Sequence, residues 1–378
     1  MKRNLIPLLL ALLLGLTSCI SATPPASITT PSLPEVTAPP TVDFSEPDAL
    51  AAQFLASPGG IVDCSAREYS YIDLQADLKA LAEAYPSRFS YRSFGASVAG
   101  RDLYVGILGD PNAPRQVLVS AGIHGREYLT PLLAMKQLEF YLTYYNVGSY
   151  NGIPYAELFS RVCFYIVPMS NPDGIMLSQE GISSITNPTL RAQVEAVYHS
   201  DFNAGLTKQT NINSYLQYWK ANASGVDLNR NFDALWEEYY NYNLPSFAQY
   251  KGPFAASEPE TKALVSLTQQ LSNPVAVLCI HSQGEVLYWN CGQPEPLLLQ
   301  TLEFTHALAT RTGYDVIEER NNDASFSDWC ALKQGLIAVT VETGLGICPL
   351  DLDKFPPIWE DNYDLLPLTA AYFLSEPS

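Results

Sequence analysis

Basic side chains and histidine are scarce in this 378-residue sequence. Lysine and arginine together number 21 against 39 aspartates and glutamates, which gives a formal net charge of −18, and only four histidines occur. A surface this acidic repels nucleic acid and anionic lipid, so the composition argues against a protein that binds either by charge attraction. Because 47% of the residues are hydrophobic, the chain can still bury a substantial core, which excludes a disordered protein.

Long apolar runs are missing as well, since no stretch reaches the roughly 20 apolar residues that a membrane-spanning helix needs. The apolar run at residues 5–16 follows Lys2 and Arg3 and precedes the small residues Thr17 and Ser18. This order is typical of a secretion signal. We therefore expect an extracytoplasmic protein.

The four residues that end at Cys19, Leu-Thr-Ser-Cys, resemble the lipobox of bacterial lipoproteins. We expect residues 1–18 to be removed as a signal peptide and Cys19 to be lipidated, which would anchor the protein to the cell membrane. A plain signal peptide with an incidental cysteine is the alternative. Residues 19–65 are rich in Pro, Thr and Ser, so we predict a tether there and a single folded domain over residues 66–378.

Helical and strand-like patterns alternate from about Tyr69 onward. This alternation predicts an α/β fold, a single domain with a central mixed, largely parallel sheet flanked by helices. Short apolar runs predict buried strands at residues 116–122, 162–169, 275–280 and 336–341. Helices are predicted over residues 74–85 and 295–312, and a capping box is predicted at residues 257–260.

Two of the four histidines, His124 and His281, stand directly after predicted strands. Ligands of open α/β sheets bind at the carboxyl ends of strands, so both could face one cleft. Glu127 lies three residues beyond His124, a spacing at which both side chains can turn toward one point. Two imidazoles and a carboxylate with an open fourth position form a catalytic zinc site. His199 and His306 lie in helix-like segments and are expected to be ordinary surface or helix residues.

Glu342 ends the apolar run of another predicted strand. A glutamate at such a position is costly to bury unless it is paired or functional. It could form a structural ion pair at the sheet edge, or it could act as a general base beside a metal site. The sequence around it leaves both possibilities open.

Five motifs occur in the order that the zinc carboxypeptidases of the carboxypeptidase A type have them, and the chain resembles this family from Tyr69 to about Phe373. The motifs are Gly122–Glu127, Asn171–Gly174, Asp227–Phe232, His281–Gly284, and Asp328-Trp329 followed by Val341–Gly344. The resemblance implies a carboxypeptidase-like fold and a zinc peptidase with one Zn²⁺ per chain. It implies His124, Glu127 and His281 as the zinc ligands and Glu342 as the catalytic glutamate.

The same resemblance implies how a substrate is held. Asn229 and Arg230 match the pair that binds the free carboxylate of the substrate, a task suited to the planar fork of arginine. Arg126 matches a further carboxylate contact. Asp227 is similar to the acid that orients the first zinc histidine through its other ring nitrogen.

Two positions depart from the digestive carboxypeptidases. Those enzymes carry an arginine after a tryptophan to stabilise the oxyanion, whereas this chain has Trp219-Lys220, so Lys220 would supply a point charge without the fork. Where the family commonly has a mobile tyrosine, this chain reads Glu318-Glu319-Arg320-Asn321. Tyr314 is out of register, so no tyrosine is given a role.

Three strings look like the bacterial γ-D-glutamyl-diaminopimelate peptidases, which cut cell-wall stem peptides. They are Tyr218–Asn222, Tyr250–Phe254 and His281–Glu285. This likeness implies a muropeptide of peptidoglycan as the substrate, in agreement with the lipoprotein-like start. The alternatives are a metallocarboxypeptidase that acts on ordinary peptides and a lipid-anchored binding protein without turnover.

Overall fold

The computed structural model describes residues 47–65, 68–239 and 242–375. The predicted signal peptide, Cys19 and the tether as far as residue 46 lie outside the described residues. Within the described part of the chain, no helix combines the length and the apolar character that crossing a bilayer requires.

Eight described strands form one mixed sheet in the order β1-β2-β6-β3-β7-β10-β8-β9, and β4 and β5 form a separate hairpin. The strands are β1 (Phe89–Ala96), β2 (Asp102–Leu108), β3 (Arg115–Ala121), β4 (Ser149–Tyr150), β5 (Ile153–Pro154), β6 (Val162–Val167), β7 (Pro274–His281), β8 (Val286–Tyr288), β9 (Asp315–Ile317) and β10 (Ile337–Glu342). The four central strands β6, β3, β7 and β10 run parallel to one another, as do β8 and β9, and the other pairs are antiparallel. The predicted α/β fold with a mixed, largely parallel sheet is therefore confirmed.

Twelve described α-helices accompany the sheet. They are α1 (Pro47–Ala56), α2 (Tyr71–Ala84), α3 (Leu129–Thr143), α4 (Tyr155–Arg161), α5 (Pro172–Glu180), α6 (Pro188–Asn203), α7 (Ile212–Leu216), α8 (Pro259–Gln270), α9 (Leu297–Thr312), α10 (Phe326–Gln334), α11 (Phe355–Asn362) and α12 (Leu365–Ser375). The central strands read as continuous apolar runs because their side chains are buried on both faces of the sheet.

The predicted helices are confirmed, but one predicted cap is wrong. Ser257 does not cap α8, because the helix begins at Pro259 after Glu258, and Glu258 makes no capping bond through its side chain. The carboxylate of Glu260 instead accepts the N–H of Val98 at 3.0 Å, and the Ser257 hydroxyl donates to Glu258. The side chains that a capping box would use are therefore bonded to Val98, a tertiary contact, and to the adjacent Glu258.

All six described cysteines are free, and five of them, including Cys163 and Cys279, are buried. Free buried thiols at these two positions agree with the apolar runs in which they lie. Burial raises the pKa of both thiols, so they remain protonated at neutral pH.

The prediction that residues 47–65 belong to an extended tether is wrong, because this segment packs on the domain. The ring of Phe54 in α1 lies edge-on to Phe140 with 5.1 Å between centroids. The indole N–H of Trp359 donates to the carbonyl of Ala51 at 3.0 Å. Leu50 and Ala51 are buried in this contact region, and they supply the apolar side chains that the preceding Pro/Thr/Ser-rich stretch lacks.

The segment after α1 also completes a buried ion pair. Lys136 and Glu139 of α3 lie 2.8 Å apart and are both at most 4% exposed. The Lys136 ammonium donates to the carbonyl of Val62, and the Glu139 carboxylate accepts the N–H groups of Ile61 and Val62. A buried ion pair is tolerated only when its remaining donors and acceptors are satisfied, so the pair depends on this segment.

We therefore expect a chain that begins at residue 66 to be less stable than one that begins at residue 47. It loses the packing of Phe54 and the partners of Lys136 and Glu139, which should cost about 3 kcal/mol or more. The two chains can be compared by urea denaturation followed by tryptophan fluorescence. Equal free energies of unfolding would show that the segment adds nothing to the domain.

Candidate active site

The loop between β3 and α3 carries His124 and Glu127. The N–H of Glu127 donates to the carbonyl of His124 at 3.1 Å, and this turn directs both side chains to one side. Gly125 lies so close to Gly174 that a Cβ there would overlap the Gly174 carbonyl. Its N–H donates to the carbonyl of Lys220 at 3.1 Å, so the turn is fixed against the segment that carries Lys220.

Asn171 links the loop between β3 and α3 to the segment that carries Lys220. Its side-chain amide donates to the carbonyls of Ile123 and Ala221, both at 3.0 Å, and its carbonyl caps the first turn of α5. The side chain is fully buried. The sequence marked Asn171 only as part of a motif, and the structure shows that it holds the backbone beside His124 and Lys220.

Three potential metal ligands converge where β3 and β7 end. His281 is the last residue of β7, and its Nδ1 lies 3.2 Å from Nδ1 of His124 and 3.1 Å from Oε2 of Glu127. The other carboxylate oxygen of Glu127 lies 2.7 Å from His124 Nδ1. Burial by itself would raise the pKa of Glu127, but the two imidazoles hold this pKa well below its usual range.

This arrangement fits a zinc ion. Bond lengths of about 2.0–2.2 Å in a tetrahedral zinc site separate the ligand atoms by about 3.3–3.6 Å. Here the potential ligand atoms of His124, Glu127 and His281 all lie within 4.8 Å of one another, and all three residues are buried. Two imidazoles and one carboxylate are the donor set of zinc sites that keep a position open for water or substrate.

Asp227 lies behind His124. One of its oxygens is 3.3 Å from Nε2 of His124, and the two oxygens accept the N–H groups of Asn229 and Gln249. Burial by itself would raise the pKa of Asp227, but His124 and the nearby Lys220 hold it well below its usual range. A charged carboxylate therefore faces Nε2 of His124, which leaves Nδ1 directed toward Glu127 and His281.

Glu342 is the last residue of β10 and stands opposite His281 in the parallel pairing of β7 and β10. The N–H of the next residue, Thr343, donates to the His281 carbonyl at 2.8 Å and fixes the two strand ends together. Burial raises the pKa of Glu342 to about 7, and the negative charge of Glu127 acts in the same direction. Such a carboxyl group can take up and release a proton near neutral pH.

A cleft of about 400 Å³ opens over these strand ends. It is lined by seven of the residues predicted for the site, namely His124, Arg126, Glu127, Lys220, Asn229, Arg230 and Glu342. His281 and Asp227 lie next to these lining residues: His281 contacts Glu127, and Asp227 lies beside His124. Every site residue that the sequence predicted within the described chain is thus part of the cleft or lies against it, whereas Cys19 is outside the described residues.

The cationic side of the cleft is built around Arg230. Its Nε donates to the hydroxyl of Tyr239 at 3.0 Å and its Nη1 to the carbonyl of Asn229 at 2.8 Å. Its Nη2 lies 3.2 Å from a carboxylate oxygen of Asp323. Burial by itself would lower the pKa of Arg230, but Asp227 and Asp323 raise it, so the guanidinium stays charged.

Several cleft residues were not predicted from the sequence. Tyr218 and Tyr288 line the cleft, and so does Asp323 from the loop before α10. Tyr288 lies in a strand of only three residues, too short to give a periodic signal. Tyr314 is not one of the cleft residues, because its buried hydroxyl accepts a bond from Asn362 at 2.8 Å.

Comparison with known proteins gives concordant matches. Gamma-D-glutamyl-L-diamino acid endopeptidase 1 of Lysinibacillus sphaericus is 30% identical over 300 residues, which cover 78% of this chain and 70% of that protein. Mast cell carboxypeptidase A of Mus musculus is 28% identical over 211 residues, which cover 55% of this chain and 43% of that protein. The crystal structure of carboxypeptidase A from Helicoverpa armigera has the same fold, with a TM-score of 0.60 and 19% identity over 89% of this chain and 82% of that one.

The sequence model of the family described as zinc carboxypeptidase matches residues 74–364. The match spans more than three quarters of the 378 residues and includes every residue of the cleft described above. The chain therefore belongs to the zinc carboxypeptidase family and is a zinc metallopeptidase.

Proposed function

We propose that this protein hydrolyses the bond between γ-D-glutamate and a diamino acid in the stem peptides of peptidoglycan. The metal-binding residues, Glu342 and the carboxylate clamp, which we define as Asn229 and Arg230, share one cleft, and this juxtaposition carries the proposal. A relative named for cleavage of such a bond is 30% identical over most of the chain. The resemblance of residues 218–222, 250–254 and 281–285 to γ-D-glutamyl-diaminopimelate peptidases supports the same substrate.

The zinc ligands are His124, Glu127 and His281, with Asp227 behind the first of them. When bound, zinc polarises the scissile carbonyl and lowers the pKa of a water molecule to about 7. The carboxylate of Asp227, 3.3 Å from Nε2 of His124, orients the ring so that its Nδ1 faces Glu127 and His281.

Glu342 moves the protons of the reaction. It accepts a proton from the attacking water and then gives that proton to the departing amine, a role that suits a carboxyl group whose pKa is about 7. The Lys220 ammonium lies in the same cleft and stabilises the developing oxyanion. The carboxylate clamp fixes a free carboxylate of the substrate so that the correct amide meets the metal position.

The proposal includes an extracytoplasmic site of action. Residues 1–18 as a signal peptide and Cys19 as a lipid anchor would place the domain on the side of the membrane where peptidoglycan lies. An ordinary carboxypeptidase activity is the second candidate function, because mast cell carboxypeptidase A also matches this chain.

Digestion of two substrates separates these functions. We expect the tripeptide L-Ala-γ-D-Glu-meso-diaminopimelate to be cut at the γ-D-Glu bond, with diaminopimelate identified by mass, while a plain peptide is cut at least tenfold more slowly. A chelator should abolish the activity and added zinc should restore it, because the donor set is complete only around a metal. If only the plain peptide is cut, the proposed substrate is wrong.

Replacement of Glu342 by Gln should remove the proton carrier and leave the metal ligands in place. We expect kcat to fall by about 10²–10⁴-fold. Zinc content measured by atomic absorption should stay at one ion per chain, which controls for collapse of the site. Full activity in E342Q would contradict the mechanism.

Replacement of Asp227 by Asn should weaken metal retention because the fixed negative charge behind His124 is lost. We expect zinc affinity to fall about 10–100-fold in competition with a fluorescent chelator. Excess zinc should restore only part of the activity, because Asp227 also accepts the N–H groups of Asn229 and Gln249 and so helps to fix the clamp. An unchanged affinity would mean that Asp227 does not support the metal site.

A further inference from the structure

The carboxylate clamp already contacts a carboxylate of the protein. Nη2 of Arg230 lies 3.2 Å from Oδ2 of Asp323, and both residues line the cleft. The Asp323 side chain is 32% exposed and that of Arg230 is 11% exposed. Asp323 is therefore a charged partner of Arg230 that a ligand in the cleft can reach.

This pair changes which ligands the clamp prefers. Arg230 and Asp323 together carry no net charge, so a substrate with only a carboxylate would meet repulsion from Asp323 as it approached Arg230. A substrate that carries an ammonium next to its carboxylate can satisfy both residues, with the ammonium at Asp323 and the carboxylate at Arg230. Charge-assisted hydrogen bonds of this kind are about twice as strong as neutral ones.

Asp323 and the clamp are held by the same structural element. The backbone N–H of Asp323 donates to the carboxylate of Asp328 in the first turn of α10 at 2.9 Å. The side-chain oxygen of Asn229 accepts the N–H of Phe326, the first residue of α10, at 3.0 Å. Both contacts fix their residues against the start of one helix, so Asp323 keeps its position relative to the clamp.

The remaining hydrogen bonds of Arg230 do not need Asp323. Two other nitrogens of its guanidinium donate to Tyr239 and to the Asn229 carbonyl. Besides Arg230, the described contact of the Asp323 side chain is with the Asn321 amide at 3.3 Å. A partly exposed carboxylate with this few contacts has room to accept a further donor.

We propose that Asp323 is a specificity residue that binds the ammonium group of a substrate end bearing both an amine and a carboxylate on one carbon, as the distal end of diaminopimelate does. This inference rests on the proposed function and extends it to the recognition of the diamino acid. Arg230 and Asn229 bind the carboxylate of that end, while Asp323 binds its amine.

The test uses the tripeptide L-Ala-γ-D-Glu-meso-diaminopimelate and the same tripeptide with its distal amine acetylated. Acetylation should lower kcat/KM of the natural protein about 10–100-fold, mainly through KM, because the charge that meets Asp323 is lost. D323N should cleave the free-amine tripeptide about as slowly as the natural protein cleaves the acetylated one. Both proteins should cleave the acetylated tripeptide equally.

Glu318→Gln is the matched control, because it removes one exposed negative charge from the segment before Asp323 without lining the cleft. E318Q should keep the natural preference for the free amine. Zinc content and the thermal midpoint of D323N should match those of the natural protein, which excludes misfolding as the cause.

Three results would overturn the inference and leave the proposed function intact. If D323N lowers cleavage of both tripeptides by the same factor, Asp323 only supports Arg230. The inference also fails if the natural protein cleaves the acetylated tripeptide as fast as the free-amine one. It fails likewise if D323N cleaves the free-amine tripeptide as fast as the natural protein does. Failure of the natural protein to cut the free-amine tripeptide would instead refute the proposed function, and the inference with it.

Discussion

The buried Glu127 carboxylate between two imidazoles is the constraint on which the site depends. A carboxylate at 4% exposure is costly unless positive groups or donors surround it, and here His124 and His281 lie within 3.1 Å of its oxygens. The N–H of Ser282 provides a further contact at 3.2 Å. The ends of β3 and β7 must therefore stay in register, because a shift of either strand would separate the ligands.

The pairing of the strands brings further site residues next to Glu127. Parallel pairing places the carboxyl ends of β3, β7 and β10 along one edge, and the pairing of His281 with Glu342 sets Glu342 beside the three potential metal ligands. Lys220 and the carboxylate clamp lie in the long irregular connection between α7 and α8. Asn171 and Asp227 fix that connection by binding its backbone, since none of its described residues forms a strand that could hold it in the sheet.

The sequence predicted that His124, Glu127 and His281 would meet near strand ends, because apolar runs that stop at a polar residue are local features. It did not predict Asp323 as a cleft residue, because its contact with Arg230 joins positions 93 residues apart and leaves no periodic trace. It also placed residues 47–65 in the tether. That error arose because the composition changes gradually there, and the packing of Phe54 becomes visible only with its distant partners in α3 and α11.

The distribution of basic side chains over the protein bears on how a substrate carboxylate could be held. A chain with 39 acids and 21 bases places three of its basic side chains, Arg126, Lys220 and Arg230, in one cleft, where acidic side chains stand among them. Lys220 differs from the two arginines because its ammonium is a compact charge that cannot form a bidentate contact. A point charge suits an oxyanion that develops at a single atom, whereas the fork of Arg230 suits a planar carboxylate. In the proposed mode of binding, Asp323 limits the attraction of Arg230 for simple anions, so the clamp can discriminate among the anions that enter the cleft.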